Sequence, residues 1–201
     1  MRITKYTHAC VRLDHDGGAL LIDPGVWSQD ADFDGVEAVL VTHEHGDHID
    51  VARLADLGVT VYAPAGAAIT GVAVTALRPG STVTVAGLQI RAVGGRHAEI
   101  YGGQPDCPHL GYVIEETIYH PGDSLHVPEG SIETLLVPAH ASWLKTCEAI
   151  DFAKAVGPRR AYPMHDGQLN ERGLSSVNGW FGEEIGAGYR YLEPGESVTI
   201  G

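Results

Sequence analysis

Basic residues are scarce in this chain: 13 Lys and Arg stand against 26 Asp and Glu, a formal net charge of -13 over 201 residues. A polyanionic backbone is gripped by clustered cations, so a nucleic-acid partner is not expected. Bound dications lie outside that count and would reverse the field inside a site, so a small, anionic substrate stays within the expectation. Cysteine is rare as well. Cys10, Cys107 and Cys147 are far apart with no Cys-x-x-Cys pair, which argues against a thiolate zinc centre or a dithiol redox site and reads as reduced, mostly structural thiols. No apolar run approaches the ~20 residues of a membrane span. Met1-Arg2-Ile3-Thr4-Lys5-Tyr6 enters a patterned segment with no apolar signal core, so a cytoplasmic protein without a membrane partner is expected. Internal repeats and low-complexity segments are missing too.

What is present is an ordinary globular balance, 44% hydrophobic and 19% charged, in a length that suits one domain over residues 1–201 with a sizeable core. Residues 3–13 alternate loosely, His15-Asp16-Gly17-Gly18 supplies a turn, and Ala19-Leu20-Leu21-Ile22 resumes the apolar pattern, an opening hairpin that carries His8 inside a strand. Val36 to Val41 reads as a buried strand. Asp50 caps a short helix over 51–57 that Gly58 ends. A strand over 59–63, a short helix over 64–69 and a strand over 72–76 follow. Hairpins are expected around Ala86-Gly87 and Glu115-Glu116. A strand over 134–137, a helix over 147–156, a strand over 161–164, a helix around 175–181 and strands near 189–192 and 197–200 complete the reading.

The chemistry concentrates in Thr42-His43-Glu44-His45-Gly46-Asp47-His48-Ile49-Asp50, directly after the apolar run. Imidazole and carboxylate are the usual ligands of a borderline divalent metal, and a buried strand delivers them rigidly. Alternate residues of an extended loop point the same way, so His43, His45 and Asp47 can converge while His48 turns toward a second ion. The helical zinc-protease pattern His-Glu-x-x-His fails, because the second histidine position holds Asp47, and Glu44 loses its role as general base with it. His97, Asp123 and His165 also stand where extended runs meet loops. A carboxylate readily bridges two ions, which puts Asp123 between a first metal on His43, His45 and His97 and a second on Asp47, His48 and His165. His109 is weighed against His97 and reads as an entry-loop residue. His8 and His140 join Asp47 as catalytic candidates, since leaving-group protonation needs a titratable group that is not tied up as a ligand. Asp23 is either a turn residue or a support for the ligands, and His120 is structural or supporting.

The Thr42 to His48 run resembles the signature of the metallo-β-lactamase superfamily. Asp23 in Leu21-Ile22-Asp23-Pro24-Gly25, His97, Asp123 in His120-Pro121-Gly122-Asp123-Ser124 and His165 in Pro163-Met164-His165-Asp166-Gly167 fall in that family's order. The resemblance implies an α/β fold, a four-layer αβ/βα sandwich of two mixed β-sheets flanked by helices. The opening Thr4-Lys5-Tyr6-Thr7-His8-Ala9-Cys10-Val11 is similar to small hydrolases related to ascorbate-6-phosphate lactonase. Antibiotic-cleaving members lack the bridging aspartate, so Asp123 points away from true β-lactamase activity. Two divalent ions about 3.5–4 Å apart, zinc first and manganese or iron next, would share a hydroxide that attacks an ester, lactone or phosphoester bond of a small metabolite. Alternatives are a non-haem iron oxygenase or redox enzyme, because similar ligand sets hold iron, and a non-catalytic metal-binding protein.

Overall fold

Four strands in the first quarter of the chain lead to the His-rich loop. In the computed structural model, which describes residues 1–201, they are β1 (Arg2–Lys5), β2 (Val11–His15), β3 (Gly18–Ile22) and β4 (Val36–Leu40). Then come α1 (Val51–Leu57), β5 (Thr60–Pro64), β6 (Val74–Leu77), β7 (Thr82–Val85), β8 (Leu88–Val93), β9 (Gly111–Ile114) and β10 (Ile118–His120). The chain ends with β11 (Thr134–Pro138), α2 (Thr146–Val156), β12 (Arg160–Met164), α3 (Glu171–Glu184) and β13 (Ser197–Thr199).

The strands form two mixed sheets, in the orders β13-β1-β2-β3-β4-β5-β6 and β12-β11-β10-β9-β8-β7. β3 to β6 run parallel, as do β10 to β12, while the remaining neighbours pair antiparallel. Parallel strands covered on both faces need unbroken apolar runs, and the runs divide by alternation. In β3, Leu20 and Ile22 enter the core between the sheets, whereas Leu21 joins the layer under α1 with Val39, Val61 and Leu54. In β11, Leu136 faces the central core, while Leu135 and Val137 meet Ala149, Phe152 and Phe181 of α2 and α3. The result is the expected four-layer αβ/βα sandwich. Tyr112 of β9 donates from its buried hydroxyl to Val41 O at 2.7 Å, tying the second sheet to the residue before the His-rich loop.

Local chemistry accounts for the elements read correctly. Asp50 accepts from Arg53 N at 3.1 Å, and Gly58 closes α1 at φ 64°. Both expected hairpins form, the second with Glu115 and Glu116 at φ 49° and 52°. Other expectations are corrected. Residues 64–69 form no helix: Pro64 ends β5, Gly66 sits at φ 92°, and the Glu44 carboxylate takes the Ala68 N–H that a helix would use internally. The last helix begins at Glu171, because Asn170 caps it by accepting from Gly173 N at 3.0 Å. Around Tyr189 a single bridge to Ala161 replaces a strand. His8 lies in the turn between β1 and β2 at φ 66°, outside any strand.

Candidate metal centre

The loops that leave strand ends bring the sequence candidates to one place. His43, His45, Asp47 and His48 follow β4, His97 follows β8, Asp123 follows β10 and His165 follows β12. His43, His45 and His97 offer ligand atoms within 4.8 Å of one another, and so do Asp47, His48 and His165 with His8. Asp123 lies between the two sets: its Oδ1 is 3.0 Å from His48 Nε2 and 3.1 Å from His165 Nε2, and its Oδ2 is 3.4 Å from His97 Nε2.

The outer hydrogen bonds of the rings fix where the protons sit. His97 Nδ1 faces Ala98 O at 2.6 Å and His165 Nδ1 faces His140 O at 2.5 Å, so both nitrogens carry hydrogen. His48 Nδ1 donates to Asp23 Oδ2 at 2.7 Å. Thr42 Oγ1 gives its proton to Asp23 Oδ2 at 2.6 Å and can therefore accept from His43 Nδ1 at 3.1 Å. Each of these four rings thus turns an Nε2 lone pair inward. His48 Nε2, His97 Nε2, His165 Nε2 and Asp123 Oδ1 are buried and hydrogen-bonded to nothing. Lone pairs facing a carboxylate oxygen repel, and in a dry interior the cost is several kcal/mol unless a cation lies between them. The donor set therefore fits divalent metal ions.

Charge follows the same logic. Burial disfavours the Asp47 carboxylate, but the His8 hydrogen bond and nearby imidazoles outweigh it and hold its pKa down at about 2. Asp123 is likewise buried, yet His48 and His165 keep it well below the usual carboxylate range. Burial pushes His43 well below 6.5 and His45 below it, so both are neutral, as ligands must be. Burial opposes charge on His48 too, but Asp123 and Asp23 raise it well above 6.5, marking the spot where positive charge is favoured.

His8 is inside the second cluster without being oriented as a ligand. Its Nδ1 accepts from Gly167 N at 3.1 Å, so the proton is on Nε2, which points at Asp47 Oδ2 at 3.2 Å. It positions that carboxylate. The His140 ring makes no hydrogen bond or ring contact with the cluster. Its carbonyl, by holding His165, is what reaches the site. Asp23 is a support, since it also accepts from Thr42 N at 2.7 Å. His120 is structural: its Nε2 donates to Ala9 O at 2.9 Å and its Nδ1 accepts from Gly122 N at 3.2 Å.

Near the cluster, Trp143 and Cys107 carry no site role in the sequence analysis, and His109, an entry-loop residue by sequence, reaches it as well. Trp143 Nε1 donates to Asp123 Oδ2 at 2.8 Å, and His109 Nε2 accepts from Asp123 N at 2.9 Å, so both hold the central carboxylate. Cys107 Sγ lies 4.0 Å from the outer nitrogen of His45. Behind His165, buried Lys5 pairs with Asp166 at 2.9 Å. His8, Asp23 and His165 all hold left-handed backbones at φ 66°, 50° and 57°. Such conformations cost of order 1–3 kcal/mol each and persist where surrounding structure enforces them.

Comparison with known proteins supplies a family context. A family model described as the Beta-lactamase superfamily domain matches residues 2–165. Protein Rv0786c of Mycobacterium tuberculosis is 38% identical over 177 residues, covering 82% of this chain and 84% of its own. A UPF0173 metal-dependent hydrolase of Methanopyrus kandleri is 29% identical, covering 98% of this chain and 99% of its own. Among solved structures, the metallo hydrolase Igni18 of Ignicoccus hospitalis superposes with a TM-score of 0.72 at 19% identity, covering 100% of this chain and 98% of that one.

Proposed function

Because the chain belongs to the metallo-β-lactamase superfamily, we propose that it is a metal-dependent hydrolase that holds two divalent ions, zinc foremost, and cleaves an ester, lactone or phosphoester bond of a small metabolite. The observation that carries this reading is the set of buried, unpartnered Nε2 atoms of His48, His97 and His165 around the Asp123 carboxylate. His43, His45 and His97 would hold one ion, Asp47, His48 and His165 the other, and Asp123 would join them. Such ions supply water activation near neutral pH and polarisation of the scissile oxygen.

The chain's own residues do the rest. His8 fixes the Asp47 carboxylate by a donated hydrogen bond and keeps it ionised. Trp143 and His109 fix Asp123 from its side chain and its backbone. In the overall reaction a water oxygen bonds to the acyl carbon or phosphorus, the bond to the leaving oxygen breaks, and one water proton ends on that leaving group. No side-chain nucleophile is required. Elemental analysis of purified protein should find about two equivalents of metal per chain, and His45→Ala and Asp123→Ala should lower both metal content and ester hydrolysis by at least about tenfold. Unchanged metal content and turnover in both variants would refute the reading, and iron as the retained metal would redirect it toward redox chemistry.

A further inference from the structure

Outside the ligand cluster the cleft is walled by Ile100, Ala141, Ser142, Trp143 and Gln168, with no lysine or arginine among the lining residues. Three cations of the adjoining segments are already engaged. Lys5 is buried against Asp166 at 2.9 Å, Lys145 lies 2.9 Å from Glu148, and Arg96 pairs with Asp106. Helix N-termini are the other common seat for anions. That of α2 is met by its own Glu148, which accepts from Lys145 N at 2.9 Å, and that of α3 by Asn170 together with Glu171 in its first turn. An anionic substituent lying beyond the reacting bond would meet no lysine or arginine in the cleft wall, on a chain of net charge -13.

The walls offer apolar surface instead. The Trp143 ring stands 6.3 Å from His97 and 6.4 Å from His165, over the cluster. Ile100 is 49% exposed at the rim and the neighbouring Tyr101 85%. Large side chains bared beside a reactive cleft gain by covering an apolar ligand group. The cavity itself is about 110 Å³, small against the roughly 300–1,000 Å³ of sites that enclose a drug-sized ligand. The reacting bond enters, and the rest of the molecule lies on the rim.

Resting on the hydrolase reading above, we infer that the substrate is an uncharged carbonyl compound, an ester or lactone whose apolar or aryl group packs against Trp143 and Ile100. Phosphorylated metabolites and phosphodiesters are disfavoured, which sets aside the anionic substrate that bound dications alone would allow. Water adds to the carbonyl carbon, the carbon–oxygen bond to the alcohol breaks, and the alcohol leaves with one water proton.

The test uses the zinc-loaded full chain and esters that share a p-nitrophenol leaving group. The expected order of kcat/KM is phenylacetate above acetate by about tenfold, with the succinate monoester at least about tenfold below the neutral butyrate and bis(p-nitrophenyl) phosphate lowest. Ile100→Ala should reduce the phenylacetate advantage to about threefold or less, and Ile100→Lys should raise the succinate-to-butyrate ratio. A succinate monoester or phosphodiester cleaved as fast as the neutral esters would overturn the inference. Calorimetric binding of phenylacetohydroxamate and succinic monohydroxamate reads the pocket without turnover. Neutral-over-anionic preference of about tenfold supports the inference, and equal or reversed preference sinks it. Loss of every hydrolysis with that preference retained would count against the hydrolase reading alone.

Discussion

A single oxygen organises much of the site. Asp23 Oδ2 receives both the Thr42 hydroxyl, at 2.6 Å, and His48 Nδ1, at 2.7 Å, and so sets the tautomers of His43 and His48 together. In Asp23→Asn the amide oxygen can keep the Thr42 N–H, which leaves the amide NH₂ facing His48. Two donors then oppose each other, and His48 relieves the clash by moving its proton to Nε2. The inward lone pair is lost. The expected result is a folded protein whose second metal binds about 10–100-fold more weakly, seen as a fall from two equivalents toward one in a titration followed by elemental analysis. Full double occupancy with ordinary affinity would show that Asp23 does not act through this tautomer. In the sequence Asp23 is a carboxylate leaving a strand at Asp23-Pro24-Gly25, a turn residue or a support whose partners go unnamed, because they stand 19 and 25 positions away.

At the scale of elements, the ligand loop depends on a backbone approach. A Cβ built on Gly25 would fall well inside contact with the carbonyl of Asp47, so only glycine lets the loop after β3 lie against the loop after β4. Gly25→Ala should push Asp47 out of register and destabilise the fold by about 3 kcal/mol or more, a drop in Tm of roughly 6–12 °C for a chain of this size, together with weakened metal binding. A variant with native Tm and native metal content would contradict that. This dependence also explains what could be read beforehand. The strands that end on ligands are short apolar runs cut off by Pro, Gly or the ligand itself, and both signals are local. Residues 64–69 misled because apolar spacing was available while Gly66 at φ 92° and the Glu44 carboxylate redirected the backbone. Trp143, His109 and Cys107 reach the cluster through contacts across separate loops, and nothing in their immediate neighbours announces it. His8 was visible as a candidate but not as a turn residue, since its left-handed backbone is imposed by packing: His165 N donates to its carbonyl at 2.9 Å.

For the molecule as a whole, the dry histidine-rich interior makes stability depend on pH when metal is removed. Burial is the largest cause lowering His8 to about 4, His109 to about 3, and His43 and His120 by directions of the same sign. A group depressed on folding is neutral in the native state while the unfolded chain takes up a proton below about 6.5, so unfolding binds protons and stability falls with falling pH. His48 has the opposite sign, because its value is raised; its contribution is complete below about 6.5 and fades as pH climbs through the folded value. With His45, also lowered by burial, five lowered imidazoles outnumber the one raised. Asp47, held at about 2, and Asp123 contribute only where carboxylates begin to protonate, below this range. Each proton of difference is worth about 1.4 kcal/mol per pH unit, so the metal-free chain should be less stable at pH 5 than at pH 7 by more than about 2 kcal/mol, and urea denaturation at the two values measures it directly. Zinc added at pH 7 should raise the midpoint further, and the gain should shrink toward pH 5 as protons compete for the same lone pairs. Equal stability of the metal-free protein at both pH values would mean that the buried imidazoles take up protons without opening the site.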